Sequence, residues 1–205
     1  MRNKLELCAQ ELKGCKLIQN APMKDYTSFR IGGPADLLFM PKNRDELILG
    51  LETAKEMNIP YVILGNGSNM LVSDKGIEGL VIRIGQDFSG IEYDGCVQKV
   101  LSGTLLCLAA NDSLDKGLMG LEWGTGIPGT VGGAVAMNAG AYGGEIKQVL
   151  TKVECIVDGE IKYIIPHDED MAYRYSRFAA PNIIVLSAEF SLSSDDGSAK
   201  ERARE

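Results

Sequence analysis

The chain has 205 residues, of which 45% are hydrophobic and 24% charged, with a formal net charge of -7. This composition is typical of a globular protein with a buried core, and the acidic balance excludes a partner dominated by phosphate backbone, so no nucleic acid is expected. No signal-peptide core and no run of about 20 apolar residues is found, which predicts a cytoplasmic protein without a membrane partner. Five cysteines without a CxxC pair and a single histidine favour reduced thiols over a disulfide framework or a zinc site.

The first part of the chain alternates helical and strand patterns. Apolar residues at helical spacing predict a short helix over residues 3–13. A stronger helical pattern covers residues 43–58, with Asn43 as its N-cap. The apolar run Tyr61–Leu64 and the run that starts at Val81 predict two short strands with a glycine-containing loop between them.

The second part changes to hairpins after Gly85. The clearest hairpin has the turn Asp158-Gly159, because these residues readily adopt the positive φ values of a two-residue turn. A helix is predicted over residues 104–117, and a further strand begins at Asn182. The result is a chain that mixes helices and strands rather than one that belongs to a single class.

Two glycine-containing segments are candidates for ligand binding. Ten glycines lie between Gly117 and Gly144, and Gly65–Asn69 follows a predicted strand. Glycine at this density costs chain entropy, which is recovered where positive φ or close approach to a phosphate or a flat ring is needed. The N–H groups of Gly65–Asn69, with the Ser68 and Asn69 side chains, predict an anion cradle, and a tight turn without a ligand is the alternative. Met70 stands where a Rossmann fingerprint needs its third glycine, so that motif is not favoured.

The longer segment predicts a surface for a flat ligand. Few side chains separate the backbone from a ligand there, and Pro128 stiffens the turn. The alternative is a glycine-lined crossing of two strands. The glycines on which this prediction depends are Gly124, Gly126, Gly129, Gly132 and Gly133.

Four segments in a fixed order resemble the UDP-N-acetylenolpyruvoylglucosamine reductase family, also called UDP-N-acetylmuramate dehydrogenases. They are TSFRIGGPADLL (27–38), LGNGSNMLVSDKGIEGLVI (64–82), GIPGTVGGAVAMNAGAYGGEI (126–146) and YRYSRF (173–178). The resemblance covers nearly the whole chain. It implies an α+β fold, the FAD-binding fold of the vanillyl-alcohol oxidase (PCMH) type, with two α+β subdomains and the flavin between them. The implied parts are an N-terminal helix (1–20), a first subdomain (21–84), a second subdomain (85–193) and the start of a C-terminal substrate domain (194–205).

The resemblance also implies site residues. Arg174 matches the catalytic arginine that lies against the enolpyruvyl carboxylate, and Tyr173 shares that substrate pocket; on the residues alone, a surface arginine after a loop is favoured. No metal site is implied. The implied cofactor-binding residues are Gly65, Asn66, Gly67, Ser68 and Asn69 in the first loop, and Gly126, Pro128, Gly129, Gly132, Gly133, Ala134 and Asn138 in the second segment.

The implied reaction has two halves. NADPH gives hydride to FAD, and the reduced flavin then gives hydride to the enolpyruvyl group of a UDP-sugar, which forms UDP-N-acetylmuramate in peptidoglycan precursor synthesis. Family members continue into a third domain that carries a proton-donating serine in a GSxFKRP-like segment, and no such segment occurs here. We therefore expect this chain to be catalytically impaired by itself. The alternative is a non-catalytic FAD- or nucleotide-binding module.

Overall fold

The computed structural model describes residues 2–195 and 197. Its first unit, Met1–Phe88, contains helices and a four-stranded sheet with both parallel and antiparallel pairs. The strand order is β1-β2-β4-β3, in which β1 and β2 are antiparallel and the other two pairs are parallel. The elements are α1 (Arg2–Glu11), β1 (Lys16–Pro22), β2 (Pro34–Met40), α2 (Arg44–Glu56), β3 (Tyr61–Leu64) and β4 (Ile77–Arg83).

Helix α2 is fixed by its own N-terminus and by its contact with the sheet. The Oδ1 atom of Asn43 accepts a hydrogen bond from the N–H of Glu46 at 2.9 Å, which confirms the predicted N-cap. The Glu46 carboxylate in turn accepts from the N–H of Lys42 at 3.0 Å, one residue before the position that a capping box uses. Gly50 faces the ring of Phe39 in β2, so the helix lies close to the sheet.

The second unit, Ser89–Glu205, is built around an antiparallel five-stranded sheet with the order β11-β10-β14-β6-β5. Its main elements are β5 (Ile91–Asp94), β6 (Val97–Leu101), α3 (Leu106–Asp115), β10 (Leu150–Val157), β11 (Glu160–Ile164) and β14 (Ile183–Ser191). Shorter elements are β7 (Leu118–Met119), α4 (Val131–Met137), β8 (Gly140–Ala141), β9 (Gly144–Glu145), β12 (Met171–Ala172), β13 (Tyr175–Ser176) and β15 (Ser193–Ser194). One apolar cluster joins α3 and α4 to this sheet, and it includes Leu106, Ala134 and Phe190.

The helices are short throughout the described residues. The longest of them, α2, has 13 residues. None of the described helices combines the length and the apolar character needed to cross a bilayer.

The divisions of the chain differ from the expected ones at three places. Residues 1–20 are not a separate helical part, because β1 pairs with β2 and so belongs to the first sheet. The boundary between the units falls after Phe88, rather than after residue 84. The expected start of a further domain, 194–205, lies outside the described residues apart from Ser194, Asp195 and Gly197, and Ser194 pairs with Leu118.

Candidate functional site

The loop Gly65–Asn69 leaves the carboxyl end of β3 and packs on the segment around Tyr26. Gly67 has φ +68, and a Cβ atom at this position would collide with the carbonyl oxygen of Tyr26. The N–H of Ser28 donates to the carbonyl of Gly67 at 3.2 Å, which fixes the loop from its other side. Close approach of two backbones and a left-handed conformation therefore both require glycine at position 67.

This loop presents backbone donors that the protein itself does not use. Among the described residues, no acceptor pairs with the N–H groups of Gly65, Gly67, Ser68 and Asn69. Asn69 is exposed, whereas Ser68 is half-buried. Successive unpaired N–H groups at the end of a buried strand form a concave donor set that suits phosphate oxygens. The loop therefore fits the diphosphate of a dinucleotide.

The second segment is not a continuous loop, because its centre forms α4. The hydroxyl oxygen of Thr130 accepts from the N–H of Gly133 at 3.4 Å and caps the helix. Glycine is needed here for packing as well: a Cβ on Gly132 would meet Ser102, and a Cβ on Gly144 would overlap the ring of Trp123. Much of the glycine density is thus explained by close contacts inside the protein.

Part of the second segment nevertheless leaves its backbone exposed on the surface of the second unit. Gly126, Pro128 and Gly133 are exposed, and a Cβ on Gly126 would meet no atom within 4 Å. The N–H groups of Gly129 and Thr130 have no acceptor among the described residues. This open backbone, without side chains above it, can accept the face of a flat ring.

Three of the residues expected to bind a cofactor pack against other parts of the second unit. Gly132 packs on Ser102, Ala134 belongs to the apolar core, and Asn138 is 2% exposed. The side chains of Ala134 and Asn138 are enclosed by protein, so a cofactor contact at these two positions would be made through the backbone.

Asn138 ties three elements together. It has φ +41 and ends α4 in the left-handed conformation that asparagine tolerates. Its Nδ2 donates to the Glu145 carboxylate and to the Ala172 carbonyl, each at 2.9 Å, while its Oδ1 accepts from the N–H of Lys147 at 3.0 Å. With all these positions occupied, the side chain holds α4, the β8–β9 hairpin and the β12–β13 hairpin in one arrangement.

The β12–β13 hairpin presents Arg174 at its tip. Its base is held on α4 by Asn138 and by Ser176, whose hydroxyl oxygen lies 2.8 Å from the carbonyl oxygen of Val135. Tyr173 and Arg174 themselves are exposed, and the guanidinium carbon lies 5.8 Å from the centre of the Tyr173 ring. Arg174 has φ +55, and no described carboxylate pairs with it. The β12–β13 hairpin is thus fixed where it contacts α4, and the Arg174 guanidinium at its tip is unpaired among the described residues. The backbone of Arg174 has a left-handed conformation that is rare for residues other than glycine.

These residues line a cavity of about 340 Å³ in the second unit. Arg174 is the one cation among the residues that surround it, and the carboxylate of Glu145 already accepts from Asn138 and lies 3.3 Å from Nζ of Lys147. The lining is formed by Asn138, Gly140, Ala141, Tyr142, Gly143, Gly144, Glu145, Tyr173 and Arg174. A cavity of this size that presents one unpaired guanidinium can receive a small carboxylate-bearing group.

Sequence reasoning did not include Tyr142 or Glu145 in this site. Tyr142 is 84% exposed with φ +51 and forms the tip of the β8–β9 hairpin that borders the cavity. An aromatic residue between glycines in GAYGG is the signal that could have identified it, because a short turn projects its side chain outward. The role of Glu145 depends on Asn138, which only the fold brings to it.

Comparison with known proteins identifies the type of domain. Residues 35–162 match the family model described as "FAD binding domain". The chain is 40% identical over 181 residues to the UDP-N-acetylenolpyruvoylglucosamine reductase of Alkaliphilus oremlandii, and 45% identical over 183 residues to that of Caldanaerobacter subterraneus subsp. tengcongensis. Each alignment covers 88% of this chain and 60% of the relative, so the chain spans about 60% of the length of these curated relatives.

Solved structures agree with this result. The UDP-N-acetylenolpyruvylglucosamine reductase of Thermus caldophilus superposes with a TM-score of 0.75 at 37% identity, over 93% of this chain and 65% of that one. An alkyldihydroxyacetonephosphate synthase superposes with a TM-score of 0.64 at 15% identity, over 92% of this chain and 40% of that one, which shows a shared fold alone. The expected α+β fold of the vanillyl-alcohol oxidase type and the resemblance to the reductases are both confirmed. The chain belongs to the family of FAD binding domains.

Proposed function

We propose that this chain binds FAD and acts in the NADPH-dependent reduction of the enolpyruvyl group of UDP-N-acetylenolpyruvoylglucosamine to UDP-N-acetylmuramate. The observation that carries the proposal is the unpaired guanidinium of Arg174 in the cavity of the second unit. Relatives at 40–45% identity bear the name of this reductase, which supports the choice of substrate. The product belongs to peptidoglycan precursor synthesis, and a cytoplasmic location is part of the same proposal.

Each unit contributes its own cofactor-binding backbone in this proposal. In the first unit, the N–H groups of Gly65, Gly67, Ser68 and Asn69 hold the diphosphate. In the second unit, the open backbone from Gly126 to Gly133 lies against the ring system. FAD, when bound, supplies the capacity to accept hydride from NADPH and to pass it to the substrate.

Arg174 supplies binding and electrostatic stabilisation. Its planar guanidinium can hold the enolpyruvyl carboxylate with two parallel hydrogen bonds, which orients the double bond. When hydride adds to that double bond, negative charge spreads toward the carboxylate, and the fixed cation stabilises it more than it stabilises the ground state. Asn138 and Ser176 contribute indirectly, because they hold the hairpin that carries Arg174.

The test uses the purified chain with added FAD. We expect a flavin absorbance spectrum in the protein fraction. We also expect a slow oxidation of NADPH that depends on the enolpyruvyl substrate, slow because this chain is expected to be catalytically impaired by itself. Arg174→Ala should leave the FAD dissociation constant unchanged and lower substrate-dependent turnover about 100-fold or more, the scale observed when one oxyanion-stabilising donor is lost. Arg174→Lys should recover only part of this loss, because an ammonium cannot form the planar pair.

Three results would count against the proposal, each at a different step. Failure of the wild-type chain to bind FAD would refute both its cofactor and its reaction. Bound FAD without substrate-dependent NADPH oxidation would instead support the non-catalytic FAD-binding module. Unchanged turnover in Arg174→Ala would remove this residue from the mechanism.

A further inference from the structure

A second unpaired cation, Arg83, lies beside the glycine loop of the first unit. Arg83 is the last residue of β4, and the parallel pairing of β3 with β4 places it opposite Leu64, the residue just before the loop. The three preceding residues of β4, Leu80, Val81 and Ile82, are fully buried, so Arg83 lies where the strand leaves the core, at the carboxyl end of β4. The fold thus puts a guanidinium next to Gly65–Asn69.

The contacts of Arg83 do not neutralise it. Its Nη2 lies 3.5 Å from Oδ1 of Asn66, which is long for a hydrogen bond. The guanidinium carbon lies 5.3 Å from the centre of the Tyr26 ring. Its Nε is buried without a partner, and no described carboxylate lies within ion-pair distance of the side chain. Of the five N–H donors of this guanidinium, most have no acceptor among the described residues.

Burying part of the Arg83 guanidinium without an acceptor costs free energy in the ligand-free protein. A half-buried cation loses part of its hydration, and a cation–π contact recovers only a fraction of it. The chain carries a net charge of -7, so carboxylates are abundant, yet none described is placed here. The unused N–H groups of Gly65, Gly67, Ser68 and Asn69 lie in the adjacent loop. Cation and backbone donors together indicate an anionic ligand.

We propose that Arg83 is a binding residue for the diphosphate of the dinucleotide cofactor, and that it acts together with the N–H groups of Gly65–Asn69. The inference rests on the proposed function for the identity of the cofactor, FAD. Arg83 supplies the positive charge that neutral N–H groups lack, and its planar donor set matches phosphate oxygens. Its contacts with Asn66 and Tyr26 hold the guanidinium at the loop.

The test measures ligand affinity and the stability of the cofactor-free chain for Arg83→Met and Arg83→Lys. We expect Arg83→Met to weaken FAD and ADP binding about 10- to 100-fold, the range for hydrogen bonds to charged groups, while riboflavin, which has no phosphate, binds as before. Arg83→Lys should retain part of the affinity, and added salt should reduce the difference between wild type and Arg83→Met. The melting temperature of the cofactor-free chain should not fall in either variant.

The matched control is Lys55→Met, which removes one exposed positive charge in the last turn of α2. Helix α2 precedes β3 in the chain, whereas the glycine loop follows β3. It should leave FAD affinity unchanged, which separates a local contact from net charge. Equal losses for FAD and riboflavin, an effect confined to NADPH, or a lower melting temperature of the cofactor-free Arg83 variants would overturn the inference. A wild-type chain that binds no FAD would overturn the proposed function with it, whereas FAD binding that Arg83→Met leaves unchanged would overturn the role of Arg83 alone.

Discussion

Glycine serves two different purposes within the segment from Gly117 to Gly144. At Gly144 the protein itself occupies the space that a side chain would need, because the Trp123 ring lies against the backbone. At Gly126 that space is open, and the backbone conformation is one that other residues adopt. The first glycine is therefore required by packing, whereas the second is available to a ligand.

Two alanine substitutions separate these purposes. Gly144→Ala should destabilise the chain by about 1–3 kcal/mol, because Trp123 is 7% exposed and cannot move without disturbing its packing. Gly126→Ala should leave the unfolding free energy unchanged and weaken FAD binding, because the methyl group occupies space above the open backbone. Urea unfolding and FAD titration of both variants measure these effects.

The opposite pattern would refute the assignment. If Gly126→Ala were destabilising, its open surface would be needed by the fold. If it left FAD affinity unaltered, the ring of the cofactor would not lie on this part of the segment.

Helix α4 and the two hairpins next to it form one structural element with Asn138 at their junction. Three hydrogen bonds of the Asn138 side chain reach Glu145, Lys147 and Ala172, and they link the helix to both hairpins. The position of the hairpin tip that carries Arg174 depends in part on the hydrogen bond from Asn138 to the Ala172 carbonyl. We therefore expect the Asn138 side chain to act by positioning this element.

Replacement of Asn138 tests this role. Asn138→Ala should cost about 3 kcal/mol, because buried polar groups lose their partners and alanine is strained at positive φ. Asn138→Gly removes the same hydrogen bonds but tolerates the conformation, so it should be more stable than Asn138→Ala by about 1 kcal/mol. Equal stabilities in urea unfolding would show that the left-handed conformation contributes nothing to the difference.

Local signals in the sequence predicted several elements correctly. The N-cap at Asn43 and the Asp158-Gly159 turn depend on neighbouring residues alone, and the structure has both: Asn43 accepts from Glu46, and Asp158 and Gly159 have φ +55 and +91. Such signals are readable because cause and effect lie within a few residues.

The features that the sequence did not predict depend on distant contacts. Helix α4 contains two adjacent glycines, which have low helix propensity, and it forms because the N–H groups of Val131 and Gly132 bond to Thr104 and Ser102. Arg83 could not be linked to Gly65–Asn69 either, because only the register of β3 and β4 makes them neighbours. Motifs in the sequence therefore pointed to candidate residues, whereas residues that become neighbours only through the strand pairing could not be recognised from the sequence.

Over the whole molecule, each unit contains one fully buried thiol. Cys8 lies in the first unit and Cys155 in the second, and both are 0% exposed. Burial raises the pKa of each thiol, which lowers the fraction of reactive thiolate. Labelling of either cysteine in the folded chain therefore requires its own unit to open.

These thiols can report on cofactor binding unit by unit. With Cys15, Cys96 and Cys107 replaced by serine, FAD at about 100 times its dissociation constant should slow the labelling of Cys8 and of Cys155 about 100-fold each. The expectation holds for each thiol only if opening of its unit releases the cofactor. Protection of Cys8 alone would show that the backbone from Gly126 to Gly133 does not hold FAD.

The pairing of Leu64 with Arg83 also decides which changes in the chain would move Arg83 away from the glycine loop. The residue just before the loop and Arg83 are held by two neighbouring strands, not by the chain that connects them. That connection has contacts of its own, because Val72 is buried in an apolar cluster of the first unit and the Ser73 carbonyl accepts from the N–H of Gly33 at 2.8 Å. A substitution in the connection that weakened those contacts would destabilise the first unit, but the distance between Arg83 and the start of the loop would still be set by the strand pairing.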